Sequence, residues 1–324
     1  MSHSNLRLRR LRENPLVREL VTETRLDPKQ LVYPLFVKEK ISKKVEIVSM
    51  PGQFQWPLVD IAAEAQHVES LGVQGVLLFG IPASKDLSGR TAQSSKGILQ
   101  KSIRAIKKRC KNLLVVTDVC LCEYLSHGHC GHLVKGRVDN DSTVKTLAST
   151  ALSHAEAGAD IVAPSDMMDH RVRAIRGSLD RGGFKHTPIL SYAVKYASAF
   201  YSPFRDAAES TPKSGDRKGY QMNPANRREA LREAKADLEE GADMLLVKPA
   251  LAYQDVLSAV KQRFDCPVGA YSVSGEYAMI KAAAEKGWLD EKKTVLETHL
   301  GLKRAGADFI VTYWAKEIAK WHQN

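Results

Sequence analysis

Apolar, β-branched runs that end near a polar residue recur along the chain at 31–37, 73–79, 113–119, 161–164, 189–194, 244–247, 268–273 and 309–312. Each has the length of a buried strand. Between them apolar residues return at helical intervals, as in "VDIAAEAQHVESLG", "KGILQKSIRAIKKRC", "TVKTLASTALSHAEAG", "HRVRAIRGSLDRGG", "NRREALREAKADLEEG" and "YQDVLSAVKQRF". Strand and helix alternate throughout, which predicts a parallel sheet covered by helices. Eight βα units in 324 residues predict a closed (β/α)8 TIM barrel over 31–324, with a doubly wound open sheet as the alternative. Segment 1–30 is left over as an N-terminal arm.

Three helical patterns finish on near copies of one signal, "EAGADIV", "EEGADML" and "RAGADFI". Gly158, Gly241 and Gly306 suit the left-handed position that follows a helix, so these repeats are read as structural.

In a barrel of this kind the chemistry stands at the carboxyl ends of the strands. Read in order, those ends carry Asp118 with Cys120 and Cys122, then Ser165, Lys195, Lys248, Ser274 and Tyr313. Lys195, in "LSYAVKYAS", and Lys248, in "MLLVKPA", have apolar or aromatic neighbours and close adjacent strands, which predicts two ammonium groups in one cavity. Mutual repulsion and loss of water favour the neutral amine. A neutral lysine adds to a ketone and loses water, and two of them suggest two carbonyl substrates side by side.

After Lys195 runs a stretch of little periodicity, about 201–225, read as a lid on the exposed side of the cavity. Its Arg205, Arg217 and Lys218 supply positive charge, and a lid arginine can clamp a carboxylate bidentately.

Thirteen residues, "CLCEYLSHGHCGH", hold three of the five cysteines and three histidines. Cys120, Cys122 and Cys130 can bind zinc. Three protein ligands leave a position for water or substrate, whereas His127, His129 or His132 as a fourth would close the site; spacing leaves both open. Cys110 and Cys266 read as core thiols.

Composition narrows the setting. A net charge of +11 is compatible with anionic small molecules, and no aromatic-interleaved basic stripe, helix-turn-helix or RNA-binding signature accompanies it, so nucleic acid is not expected. The longest apolar runs, such as "ADMLLV", are far short of a bilayer span. An odd cysteine count and a basic, never continuously apolar start, with Glu13 and Glu19 unlike a transit peptide, predict a reducing cytoplasmic setting.

The motifs "DVCLCEYLSHGHCG", "VDND", "APSDMMD", "SYAVKYASAFYSPFRDA", "GDRKGYQMNPANRREALRE", "MLLVKPALAY", "YSVSGEYAMI" and "KRAGAD" together resemble the zinc-dependent porphobilinogen synthases, or 5-aminolevulinate dehydratases. The resemblance implies condensation of two 5-aminolevulinate molecules to porphobilinogen, on the route to haem. It implies a Schiff base at Lys248 with the substrate of the propionate side and one at Lys195 with the substrate of the acetate and aminomethyl side. Arg205 and Arg217 would clamp the second carboxylate, Ser274 and Tyr313 the first. Asp118 and Ser165 would place the amino group, while Tyr201, Phe204 and Tyr271, with Tyr192, would wall the cavity. Cys120, Cys122 and Cys130 would hold zinc with a position left for water or substrate.

The same resemblance implies magnesium at Glu233, which the residues alone read as a solvated helix-face carboxylate, and an arm that embraces a neighbour in a homo-octamer. Ser202 and His170 stand where the family commonly has glycine, which implies altered lid mobility or loop shape. A class I Schiff-base aldolase is the rival enzyme, explaining one lysine but neither the second nor the thiols. A zinc-dependent nucleic-acid-binding protein leaves both lysines unexplained.

Overall fold

The computed structural model describes residues 6–323. In the arm lie α1 (Arg10–Glu13) and α2 (Pro15–Leu20), neither of which buries a residue. The body runs β1 (Leu31–Lys38), β2 (Val45–Glu46), β3 (Phe54–Pro57), α3 (Leu58–Ser70), β4 (Gly75–Ile81), α4 (Ile98–Arg109) and β5 (Leu114–Val119). It continues through β6 (Leu133–Val134), β7 (Arg137–Val138), α5 (Asn140–Glu156), β8 (Ile161–Pro164), α6 (Arg171–Arg181), β9 (Leu190–Lys195), α7 (Ser202–Ala207) and α8 (Arg227–Glu239). The last part is β10 (Met244–Lys248), α9 (Gln254–Arg263), β11 (Val268–Ser272), α10 (Ser274–Glu285), α11 (Glu291–Arg304), β12 (Phe309–Thr312) and α12 (Ala315–Gln323).

Eight strands pair in parallel in the order β8-β5-β4-β1-β12-β11-β10-β9. The pairing of β1 with β12 sets the first and last barrel strands side by side in the middle of this order, so closure depends on its two outer strands, β8 and β9. Between β8 and β9 the ring is completed by a parallel bridge from Val162 to Ile189, with the Val162 N–H donating to the Pro188 carbonyl at 3.1 Å. The barrel is therefore closed, with helices outside and strand carboxyl ends together at one rim.

Two hairpins have no counterpart in the sequence pattern. β2 pairs with β3, and β3 runs parallel to the end of β1 at Phe36–Lys38. β6 and β7 turn through Lys135 and Gly136, both at positive φ. Strands of two residues are too short to carry a hydrophobic period.

The repeated Gly-Ala-Asp signal lies at the opposite rim. Gly158, Gly241 and Gly306 have φ of 102°, 104° and 112°, beyond ordinary reach of an L side chain. Each following aspartate then caps the start of the preceding barrel strand. Asp160 accepts the Val115 N–H at 2.8 Å, Asp243 the Ile189 N–H at 2.8 Å and Asp308 the Val268 N–H at 2.7 Å. Lys107 and Lys261 pair with Asp160 and Asp308.

Candidate active site

Lys195 and Lys248 end adjacent strands and stand opposite each other in register. They are 5% and 4% exposed, so neither ammonium is solvated in the ordinary way. Their Nζ atoms lie 5.7 and 5.2 Å from the centre of the same ring, Tyr192. Lys248 is also boxed by Tyr271, Phe204 and Tyr201, with ring centres at 4.3, 4.8 and 5.4 Å. Burial and the neighbouring Lys195 charge push Lys248 down to about 7, against the pull of Asp118. Lys195 is anchored differently, donating to the Ser165 carbonyl.

The wall and carboxylate groups of the sequence reading gather at the same rim. Tyr271 and Tyr313 hydroxyls are 3.3 Å apart, and Tyr201 donates to the Lys248 carbonyl at 3.0 Å. Ser274 opens α10, and its Oγ accepts the Phe204 N–H at 2.9 Å, tying the base of the lid to that helix. Asp118, at the end of β5, is buried, and burial together with Glu123 pushes it up to about 8 against the two lysines.

The thiols of Cys120, Cys122 and Cys130 are buried, and their sulfurs lie within 4.8 Å of one another, Cys120 and Cys122 at 3.4 Å. Sulfurs around tetrahedral zinc are about 3.8 Å apart, given Zn–S bonds of about 2.3 Å, so the three fit that ion with little movement. Hydrogen bonds from Cys120 and Cys122 hold Cys130 well below the usual thiol range. Among the described residues no histidine joins this cluster. His129 is engaged at both ring nitrogens, by the Tyr220 hydroxyl at 3.2 Å and the Ser214 carbonyl at 2.9 Å, and His132 meets Thr146 at 2.9 Å. His127 accepts the His129 N–H. The histidines shape the loop and fasten it to the lid.

The lid reading needs one correction. An exposed loop arginine was expected at 217, and Arg217 is instead only 5% exposed. It donates to the carbonyls of Gly128 at 2.9 Å and Ser210 at 2.6 Å, so it packs the lid onto the cysteine loop. The Lys213 N–H reinforces this on the His127 carbonyl at 3.0 Å. Gly128 has φ of 75°, and a Cβ there would come within 2.5 Å of the Thr211 carbonyl oxygen, so only glycine allows this docking. Arg205, on α7, is half-buried and lowered by burial and by the Arg217 charge. Lys218 is exposed and pairs with Asp216.

Glu233 is not part of this cavity. It lines an open pocket of about 880 Å³ beside the lid, with Asn140, Asp169, Tyr220 and Glu229. Burial pushes its carboxyl up, and Asp237, Asp169 and Glu229 add to that against Arg171. Among the described residues Glu233 belongs to no group of three close donors. Magnesium, which keeps several waters, needs no such group.

The two departures from glycine differ in consequence. Ser202 has φ of −54° and begins α7 as an ordinary helical residue. His170 has φ of 64° and sits left-handed before α6, its Nδ1 2.9 Å from Glu240.

Sequence reasoning passed over Tyr220 and Glu123. Tyr220 packs on the three cysteines and its hydroxyl accepts the Cys130 N–H at 3.4 Å. Its signal is weak, an aromatic in a basic loop.

Comparison with known proteins decides the family. The delta-aminolevulinic acid dehydratase profile matches residues 5–321. The chain belongs to the delta-aminolevulinic acid dehydratase family. Relatives of that name from Halalkalibacterium halodurans and Bacillus subtilis are each 54% identical, over 97% and 99% of this chain and 96% and 99% of their own. A solved Toxoplasma gondii delta-aminolevulinic acid dehydratase, in complex with the reaction product porphobilinogen, is 48% identical with a TM-score of 0.95, covering 98% of this chain and 91% of that one. An aldolase at 13% identity and TM-score 0.51 shares the fold alone, and the aldolase reading is not favoured. The family's activity, porphobilinogen synthase, is a dehydrating lyase reaction that fits a barrel with two buried lysines.

Proposed function

We propose that this chain condenses two 5-aminolevulinate molecules to porphobilinogen by Schiff bases at Lys248 and Lys195. The observation that carries the reading is the buried lysine pair, in register on β9 and β10 and sharing the face of Tyr192. Lys248, lowered to about 7, attacks one ketone as a neutral amine, and water leaves as the imine forms. Lys195 takes the second ketone beside the cysteines. Ser274 and Tyr313 receive the first carboxylate, Arg205 and Arg217 the second, and Asp118 with Ser165 the amino group. Tyr201, Phe204 and Tyr271 exclude water from the first imine.

Cys120, Cys122 and Cys130 would hold zinc, which would supply Lewis acidity at the second substrate. Glu233, outside the cavity, would be the residue that holds magnesium. The exposed Leu11, Leu16 and Leu20 of the arm cover a neighbouring copy, in a homo-octamer of the reducing cytoplasm, where five free thiols persist.

The test combines a porphobilinogen assay, with and without a zinc chelator, and borohydride trapping with aminolevulinate. Product that falls with zinc, and a reduced adduct mapped to Lys248, are expected. Full activity without zinc, or no adduct at Lys248, rejects the assignment.

A further inference from the structure

Glu276, in the first turn of α10, is 1% exposed, and burial pushes its carboxyl up to about 7 against the N–H groups of Val273, Leu251 and Ala252. Its Oε2 accepts the Val273 N–H at 2.9 Å, the ordinary bond of a glutamate to the start of its own helix. Its Oε1 reaches outside the helix and accepts the Leu251 N–H at 3.0 Å. Capping needs only the first bond. Burying a carboxylate is costly, and the second bond gives this one a further task.

Leu251 stands three residues past Lys248, and Val273 immediately precedes Ser274. One carboxylate therefore spans from the turn after the Lys248 strand to the residue before the serine, and fixes how far apart the two lie. The base of the lid packs against the same junction. Tyr201 donates to the Lys248 carbonyl, Ser274 Oγ accepts the Phe204 N–H, and a Cβ on Gly275 would come within 2.6 Å of the Phe200 carbonyl oxygen. The start of α10 has no room to shift on that side. A keto acid joined to Lys248 carries its carboxylate at a set chain length from the imine, so the reach to Ser274 has to match that length. A misplacement of about 1 Å in such a site costs on the order of 100-fold.

We infer that Glu276 is a positioning residue for the first substrate, holding Ser274 at the distance from Lys248 that a keto acid requires and so selecting ketones with a carboxylate at that length. The inference rests on the assignment of Ser274 to the first carboxylate.

Glu276→Gln tests it, because the amide keeps the shape and can accept at only one of its two ends. The ligands are levulinate and 2-pentanone, which has a methyl group in place of the carboxylate, each trapped with borohydride and the adduct mapped to Lys248. The parent should trap levulinate at much lower concentration than 2-pentanone. In the variant that preference should fall at least about 10-fold, the loss of one hydrogen bond to a charged group, with trapping of 2-pentanone within about 2-fold of the parent. Equal weakening of both ketones, which a merely structural glutamate would give, or an unchanged preference overturns the inference. Glu276→Asp, which keeps the charge but is too short to span both N–H groups, carries the same comparison if the Gln variant does not accumulate. A parent enzyme without the preference would instead reject the assignment of Ser274 itself.

Discussion

A lysine attacks a ketone only when neutral, and Lys248 is pushed from 10.5 to about 7 by burial and by Lys195. The sign follows directly: the nucleophilic form dominates above about 7 and is lost as the pH falls through it. Formation of the borohydride-trappable adduct should climb about tenfold per pH unit below that value and level off above it. A rate still rising through pH 9 would mean an ordinary lysine. The type and position of both lysines are legible in the sequence, because an amine set among apolar residues at a strand end has little water to turn to. The burial of Arg217 is not legible. Its partners, the Gly128 and Ser210 carbonyls, lie 89 and 7 positions away and meet it only after the lid has folded over the cysteine loop. The same separation hides the engagement of His129, whose two partners lie 91 and 85 positions off.

Among the elements, the barrel strands are the most readable part, since each is a mainly apolar run, buried over most of its length on both faces. The expected runs and the observed strands differ mainly at their ends, as where β4 begins at Gly75 rather than Val73 and β1 continues to Lys38. The short hairpins escape notice because they are held by pairing to β1 or to each other rather than by an apolar face. The Gly-Ala-Asp repeats are visible as repeats, and the structure adds the work of the aspartate. Replacing Asp160, Asp243 or Asp308 by Ala leaves a strand-opening N–H without its acceptor. Each variant should lose about 1–3 kcal/mol of stability in urea unfolding, with kcat of the folded protein within about 2-fold of the parent. A loss of activity larger than the loss of folded protein would contradict a purely structural role.

In the molecule as a whole, the lid and the cysteine loop form one docked unit. Arg217 holds the Gly128 and Ser210 carbonyls, Lys213 the His127 carbonyl, and His129 reaches Ser214 and Tyr220. At its base the lid is tied back to the barrel, where Lys38 and Gln55 bond to the Glu209 carboxylate and Lys85 to its carbonyl. The guanidinium of Arg217 also favours thiolate on Cys130. Arg217→Ala should therefore raise the KM for aminolevulinate and also speed zinc loss to a colorimetric chelator, several-fold in each case. An unchanged rate of zinc loss would separate the lid from the metal loop.

The aspartate clamps lie at the rim away from all of this chemistry. Because each is closed by the same glycine conformation and the same bond to the preceding strand, three units of the lower rim share one interchangeable part that makes no reference to what the upper loops do. A scaffold divided in this way lets loops be exchanged or lengthened at one end without renegotiating strand register at the other, so new reactions can be acquired on it at little risk to folding.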